Sequence, residues 1–260
     1  MTGSTDPLDL LANEAQSFGA TVTSRADPEM QFDVVLRRVD GREVQYCILA
    51  RNNDAVVTAR ESEPRRLPAF CPERHVNPDG TFCMYWAKRH RIEVNDRNAA
   101  IEWWNTLVAF LSLQERASNL GRWPDKRVWA HGDAAQYQHM ATESAIRLGN
   151  FFPEALADGR LTVELCPDMP GRRKMLRLRL DARHLYSVLL DDLRVANGKQ
   201  PCLCTNMPRR KPLRACSDHA SAAAQLACAL HLWDIKEREF WAELADKPCC
   251  TQMAGCPLRS

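Results

Sequence analysis

ESEPRRLPAFCPERHVNPDGTFCMYW, residues 61–86, is the stretch on which the reading of this chain turns. It holds four prolines, one of them inside the turn Pro78-Asp79-Gly80, and it follows neither the helical nor the strand period. A loop this long inside a folded domain is usually functional. It delivers Cys83 just past a tight turn, with His75 and Asn77 close enough in sequence to fold back over the thiol. That setting suits a nucleophile: polar donors are at hand, and a rigid scaffold lies to either side. The structural alternative is that Cys83 is a small buried hydrophobe and His75 merely satisfies loop carbonyls.

The flanks supply the scaffold. Upstream, Asp6-Pro7 caps a first helix that Gly19 ends. Four β-branched or alternating segments follow: TVTSR (21–25), FDVVLRRV (32–39), REVQYCIL (42–49) and AVVTAR (55–60). Their short connections at Asp40-Gly41 and Asn52-Asn53-Asp54 predict an antiparallel meander. Downstream, Asp96 is a suitable N-cap for a helix reaching about residue 120, with Ile101, Trp104, Val108 and Leu111 as an apolar stripe. Trp86, Trp103 and Trp104 read as packing residues. Residues 132–149 form a further helix ended by Gly149. LTVELC (161–166) and MLRLRL (175–180) read as a hairpin around Met-Pro-Gly-Arg-Arg, DARHLYSVLLDDL (181–193) as a helix, and ANGKQP (196–201) as a linker. The tail carries one more helix, with Leu226, Leu230, Trp233, Phe240 and Leu244 near one face. The expected fold is therefore α+β, in three parts: 1–150, 151–200 and 201–260.

Composition bounds what such a chain does. At 260 residues, 45% apolar and 26% charged, it is long and apolar enough to bury a core and too regular for global disorder. It contains no run of about 18 apolar residues, so no membrane-spanning helix is expected. The segment MTGSTDPLDLLANEAQSFG (1–19) lacks the basic start and apolar stretch of a secretion signal, which reads as cytoplasmic. A net charge of +2 gives no nucleic-acid-sized field, and the basic runs at 172–174 and 209–211 read as solvated loops. Cysteine is the abnormal number. Of 11, seven fall within residues 201–260, and in a reducing compartment such density reads as metal ligation before disulfides.

Two resemblances sharpen these readings. Asn77-x-x-Gly80-x-x-Cys83-Met84, after a helix and a meander and before a Trp-containing helix, resembles the active-site segment of ubiquitin-conjugating enzymes. More narrowly, LPAFCPERH (67–75) with that turn, Trp103-Trp104 and Trp129-Ala130-His131-Gly132 resembles the bacterial ubiquitin-conjugating-like proteins, some of which carry a cysteine-rich C-terminal region. The resemblance spans roughly residues 6–150 and is sharpest over 67–86. It implies a UBC-like fold and a Cys83 thioester with a ubiquitin-like modifier, received from an activating enzyme and passed to an acceptor amine. It also implies a setting in bacterial antiphage defence. The eukaryotic enzymes carry His-Pro-Asn upstream of the cysteine; here Glu73-Arg74-His75 stands there, so His75 occupies the Asn position and Asn77 is the second oxyanion candidate. Asp79 is in reach of an incoming lysine, although turn geometry explains it equally well.

In the tail, Pro201-Cys202-Leu203-Cys204 and, further on, Cys216-Ser217-Asp218-His219 suit tetrahedral zinc. They resemble, with a longer spacer and no Gly after the second Cys, the small zinc motif at the C-terminus of the SecA translocase. On that resemblance Cys202, Cys204, Cys216 and His219 hold a structural Zn2+. Cys249, Cys250 and Cys256 compete, the adjacent pair not easily sharing one metal, for instance in a mixed set of Cys202 or Cys204 and Cys216 with Cys250 and Cys256, and no organic cofactor is expected. The rival readings are a non-catalytic zinc-containing adaptor that binds a modifier or nucleic acid, and a redox sensor using Cys71 and Cys83.

Overall fold

Asp6 Oδ1 accepts from the Leu8 N–H at 3.0 Å, and Pro7 takes a first-turn position where no N–H is needed. Helix α1 (Pro7–Glu14) tightens into a 3-10 turn at Ala15–Phe18 and stops at Gly19, left-handed at φ 69°. A Cβ at Gly19 would stand 2.8 Å from the Val35 carbonyl oxygen, so only glycine fits. This computed structural model describes residues 6–38, 40–86, 91–125, 129–167, 173–196, 202 and 212–259. They group into two compact units, Met1–Val128 with Asp246–Ser260, and Trp129–Ala245.

In the first unit, β1 (Ala20–Ala26), β2 (Glu29–Arg37), β3 (Glu43–Asn53) and β4 (Val56–Glu61) form the antiparallel meander in the order β1-β2-β3-β4. Strict alternation turns Met30, Phe32, Val34, Tyr46, Ile48, Ala50, Val57 and Ala59 to one buried face. Asp54 and Ala55, at φ 52° and 69°, make the two-residue turn between β3 and β4.

Helix α2 (Arg97–Leu120) packs on this unit's core. Asp96 Oδ1 accepts from the Ala99 N–H at 2.8 Å, and Gly121 closes the helix in the left-handed region. Its buried stripe is Ala100, Trp103, Trp104, Leu107, Phe110, Leu111, Gln114 and Ala117. Ile101 and Val108 are only half-buried, so the stripe is rotated from the one the apolar spacing suggests. Both indoles are core residues with satisfied N–H groups: Trp103 donates to Val57 O at 2.8 Å and Trp104 to Leu11 O at 2.9 Å.

The second unit corrects the sequence reading of residues 161–193. Instead of a hairpin and a helix there is a four-stranded antiparallel sheet: β5 (Leu161–Leu165), β6 (Met175–Leu180), β7 (Arg183–Leu189) and β8 (Arg194–Val195). Asp181 and Ala182, at φ 47° and 67°, turn the chain back at once, so β6 pairs with β7 in place of a helix. Tyr186 and Val188 then face the core, and the Tyr186 hydroxyl donates to Ala223 O at 2.9 Å.

Helix α3 (Ala134–Leu148) packs on α5 (His219–Glu243), with the short α4 (Phe152–Ala157) between α3 and β5 in the chain. Alanines 222, 223, 224, 227 and 229 of α5 are all buried and permit close approach. The chain thus groups differently from a division at 150 and 200, because α3 shares a core with α5 and the final residues return to the first unit. Cys204, residues 209–211 and most of the 169–173 turn and of the 196–201 linker lie outside the described residues. Among the described residues no helix is long and apolar enough to cross a membrane.

Candidate functional site

The loop 61–86 is held at several points. Glu61, on the inward face of β4 and 6% exposed, accepts from the backbone N–H groups of Arg65 and Arg66 at 3.2 Å and of Leu67 at 2.9 Å. One buried carboxylate thereby fixes the loop's entrance. Further along, Cys71 and Val76 exchange both backbone hydrogen bonds, at 3.1 and 3.0 Å, around a 3-10 turn at Pro72–Arg74. Phe82 N–H donates to Ala59 O at 2.8 Å, which docks the loop's exit on β4. Phe82 stacks on Phe110 of α2 with ring centroids 5.0 Å apart.

Cys83 follows directly and is exposed, as a nucleophile must be. Its N–H donates to His75 O at 2.8 Å, so thiol and histidine are coupled through the backbone. Although the residue reaches solvent, the protein around the sulfur pushes its pKa upward by desolvation, and among the described residues no cation draws it down. The Tyr85 phenol, two residues on, is raised too, by burial first and in smaller part by Cys83 itself, so the two acids share one environment.

His75 sits at φ 54°, a left-handed conformation uncommon for a histidine. Its ring lies edge-on to Trp123 at 4.8 Å, and Trp123 continues to Phe110 at 6.0 Å. Asn77 is exposed and its amide donates to Thr81 Oγ1 at 3.0 Å. Asp79 Oδ1 accepts from the Thr81 N–H at 3.0 Å and from its hydroxyl at 2.6 Å. Burial raises the Asp79 pKa, and the hydrogen bonds from Thr81 outweigh it, leaving the carboxyl below its ordinary value. Asn77 and Asp79 are thus engaged in building the turn that presents Cys83.

The sequence reading passed over Arg74 and Gln114. Arg74 is 1% exposed; its Nε donates to Gln114 Oε1 at 2.8 Å, its Nη2 to Gln114 O at 3.1 Å, and its Nη1 to Gln252 Oε1. The Gln114 amide donates back to Arg74 O. The available signal was Gln114 itself, a polar residue four positions beyond Phe110 and three beyond Leu111 on the buried stripe. Cys71 does not pair with Cys83: its Sγ lies 2.9 Å from Cys250 Sγ.

In the second unit, Cys202 Sγ and Cys216 Sγ lie 3.4 and 3.6 Å from His219 Nδ1, and the three ligand atoms all fall within 4.8 Å of one another. Both thiols are buried, and the His219 N–H donates to Cys216 Sγ at 3.4 Å, at the N-terminus of α5. Sulfur and imidazole at this spacing can hold a metal ion such as zinc. Three of the four residues expected as ligands are therefore together, and the fourth, Cys204, lies outside the described residues.

Elsewhere in this unit His131 Nδ1 lies 2.5 Å from Glu237 Oε1, between Phe240 and Trp241. Burial is the largest single influence and raises the Glu237 pKa, but the contacts with His131 and Trp241 together outweigh it and hold the carboxyl below its ordinary value.

Two family models match the chain. Residues 18–125 match a prokaryotic E2 domain, and residues 130–258 a cysteine-rich domain that lies C-terminal to an E2 domain. No curated protein and no solved structure matches. An E2 domain implies ubiquitin-like conjugation, in company with an activating enzyme and a ubiquitin-like modifier. The chain belongs with the bacterial E2-like, ubiquitin-conjugating-type proteins that carry a cysteine-rich C-terminal domain.

Proposed function

We propose that the chain is a thioester-forming acyl carrier of UBC-like fold, with Cys83 as its nucleophile. The observation that carries this reading is an exposed thiol on a loop pinned to β4, inside a prokaryotic E2 domain. In the loading step, Cys83 sulfur attacks the thioester carbonyl that joins the modifier's C-terminus to the activating enzyme's cysteine. A new S–C bond forms, the old one breaks, and the departing thiolate takes the proton that Cys83 gives up. One thioester replaces another, so the free-energy change is small and the protein supplies mainly position. An acceptor amine then attacks the same carbonyl; the amide bond forms and the Cys83 thiol leaves.

His75, on the turn whose carbonyl accepts from the Cys83 N–H, is the first candidate to support the oxyanion, and Asn77, whose amide also serves Thr81, is the second. Zn2+ in the Cys202, Cys204, Cys216 and His219 set is structural and stabilises the start of α5. The bacterial antiphage setting rests on the family resemblance, as does the choice of partners.

The test is a non-reducing gel of the protein incubated with its cognate activating enzyme, modifier and ATP. A thiol-sensitive adduct that disappears in Cys83→Ala is expected. An adduct unchanged in that variant would reject Cys83, and no adduct with the wild type would favour a non-catalytic adaptor. His75→Ala, with loading and discharge measured separately, should slow discharge to an amine by about 10- to 100-fold if it supports the oxyanion.

A further inference from the structure

Five cysteines of the first unit lie outside the Cys83 chemistry: Cys47 on β3, and four that gather in one place. Cys71 comes from the active-site loop; Cys249, Cys250 and Cys256 come from the last residues of the chain. They share one cluster with Met253, Trp123 and Leu258, in which Cys71 and Cys256 are 1% and 5% exposed. The sulfurs are arranged as two pairs. Cys71 and Cys250 stand 2.9 Å apart, well beyond the ~2.05 Å of a disulfide, and Cys249 shares a hydrogen bond with Cys256.

A backbone N–H group is aimed at one of these sulfurs: Thr251 donates to Cys249 Sγ at 3.3 Å, much as His219 N–H donates to Cys216 Sγ in the second unit.

A second observation points to negative charge at this place. Arg74 is buried, yet its hydrogen bonds go to the neutral acceptors Gln114 and Gln252, and among the described residues it forms no ion pair. A buried guanidinium without a counter-charge is costly. Gln252 belongs to the loop between Cys250 and Cys256, and the field of Arg74 falls on Cys71. Four thiolates round a divalent cation carry a net charge of −2, of which the Arg74 guanidinium would offset one unit.

We infer that Cys71, Cys249, Cys250 and Cys256 form a second, tetrathiolate zinc site, distinct from the Cys202–Cys216–His219 cluster, that fastens the end of the chain to the active-site loop. Ligands about 2.3 Å from a tetrahedral zinc stand ~3.8 Å apart, so on binding the Cys71–Cys250 pair opens by roughly 1 Å and the two pairs draw together, since among the described residues only the ligand atoms of Cys202, Cys216 and His219 already group within 4.8 Å of one another. Binding releases one proton from each thiol. The consequence reaches the catalytic loop directly. Cys71 is bridged to Val76, Val76 to Phe82, and Phe82 precedes Cys83.

The test uses the full-length chain purified without chelator. Metal analysis of Cys202→Ser/Cys216→Ser, which removes the other cluster, should leave one zinc per chain, and its cobalt-substituted form should show the absorption of a tetrathiolate site. A chain of that variant that remains folded by circular dichroism and retains no metal would overturn the inference. In the wild type, mass-spectrometric footprinting with iodoacetamide should find Cys249 and Cys250, both half-buried, protected until a chelator is added. Alkylation at the same rate with and without chelator would also overturn it. So would a mass two hydrogens lower with no metal, which would mark a Cys71–Cys250 disulfide. The result does not depend on loading at Cys83, so either proposal can fail alone.

Discussion

Cys83 combines exposure with a raised pKa, and that pairing defines its chemistry. Burial raises the thiol's pKa, and among the described residues no cation offsets it. On the proposed function its reactivity would come from position and from a carbonyl delivered as a thioester, with no standing thiolate needed. Alkylation of Cys83 should therefore keep rising with pH through and beyond the ordinary thiol value near 9, measured by stopped-time labelling of that peptide. A plateau below pH 8 would show a stabilised thiolate and refute the assignment. The sequence pointed to this thiol from the Pro78-Asp79-Gly80 turn. It could not disclose that Asn77 and Asp79 spend their side chains on Thr81, because that depends on how the turn closes.

At the scale of elements, β4 does most to place the site. Its inward residue Glu61 gathers three backbone N–H groups at the loop's start, and its Ala59 carbonyl receives the loop's end. Glu61→Gln keeps the size but weakens charge-assisted bonds, and should cost about 1–3 kcal/mol in urea unfolding. Hydrogen exchange should locate the loss in the amides of Arg65, Arg66 and Leu67; unchanged exchange there would show that the carboxylate does not hold the loop.

In α5, Glu237 tests the same logic by pH. Its folded pKa lies below the ordinary value of 4.5, so its contribution to stability is complete above that pH. It is lost as pH falls through the lower folded value. Glu237→Gln should flatten the acid limb of the stability curve of its unit. The meander and the caps at Asp6 and Asp96 were legible, since strand alternation and N-capping are local properties. Residues 181–193 were not. Their apolar spacing fits either period, and the turn at Asp181-Ala182 and the pairing with β6 settled the matter.

For the whole molecule, the tail takes part in both units. α5 belongs to the core of the second, while residues 246–260 belong to the first, where Ala254 N–H donates to Gly121 O at the end of α2. Cys216→Ser should accordingly lower hydrogen-exchange protection in α5 and in β6 and β7, and leave the amides of β2 and β3 unchanged. Loss of protection in the meander as well would show that the first unit depends on the second.

The sequence by itself determined the kind of protein: a helix, a four-stranded meander, a proline-rich loop ending on Cys83 and a cysteine-dense tail, all written in local periodicity and turn chemistry. Only the tertiary structure decided which cysteines meet. Thiols carry no record in the sequence of their partners across 179 positions, and Cys71 finds Cys250 through the folding of the loop, the end of α2 and the returning tail. The buried Arg74, joined to Gln114 on one side and Gln252 on the other, is where those three segments are held together.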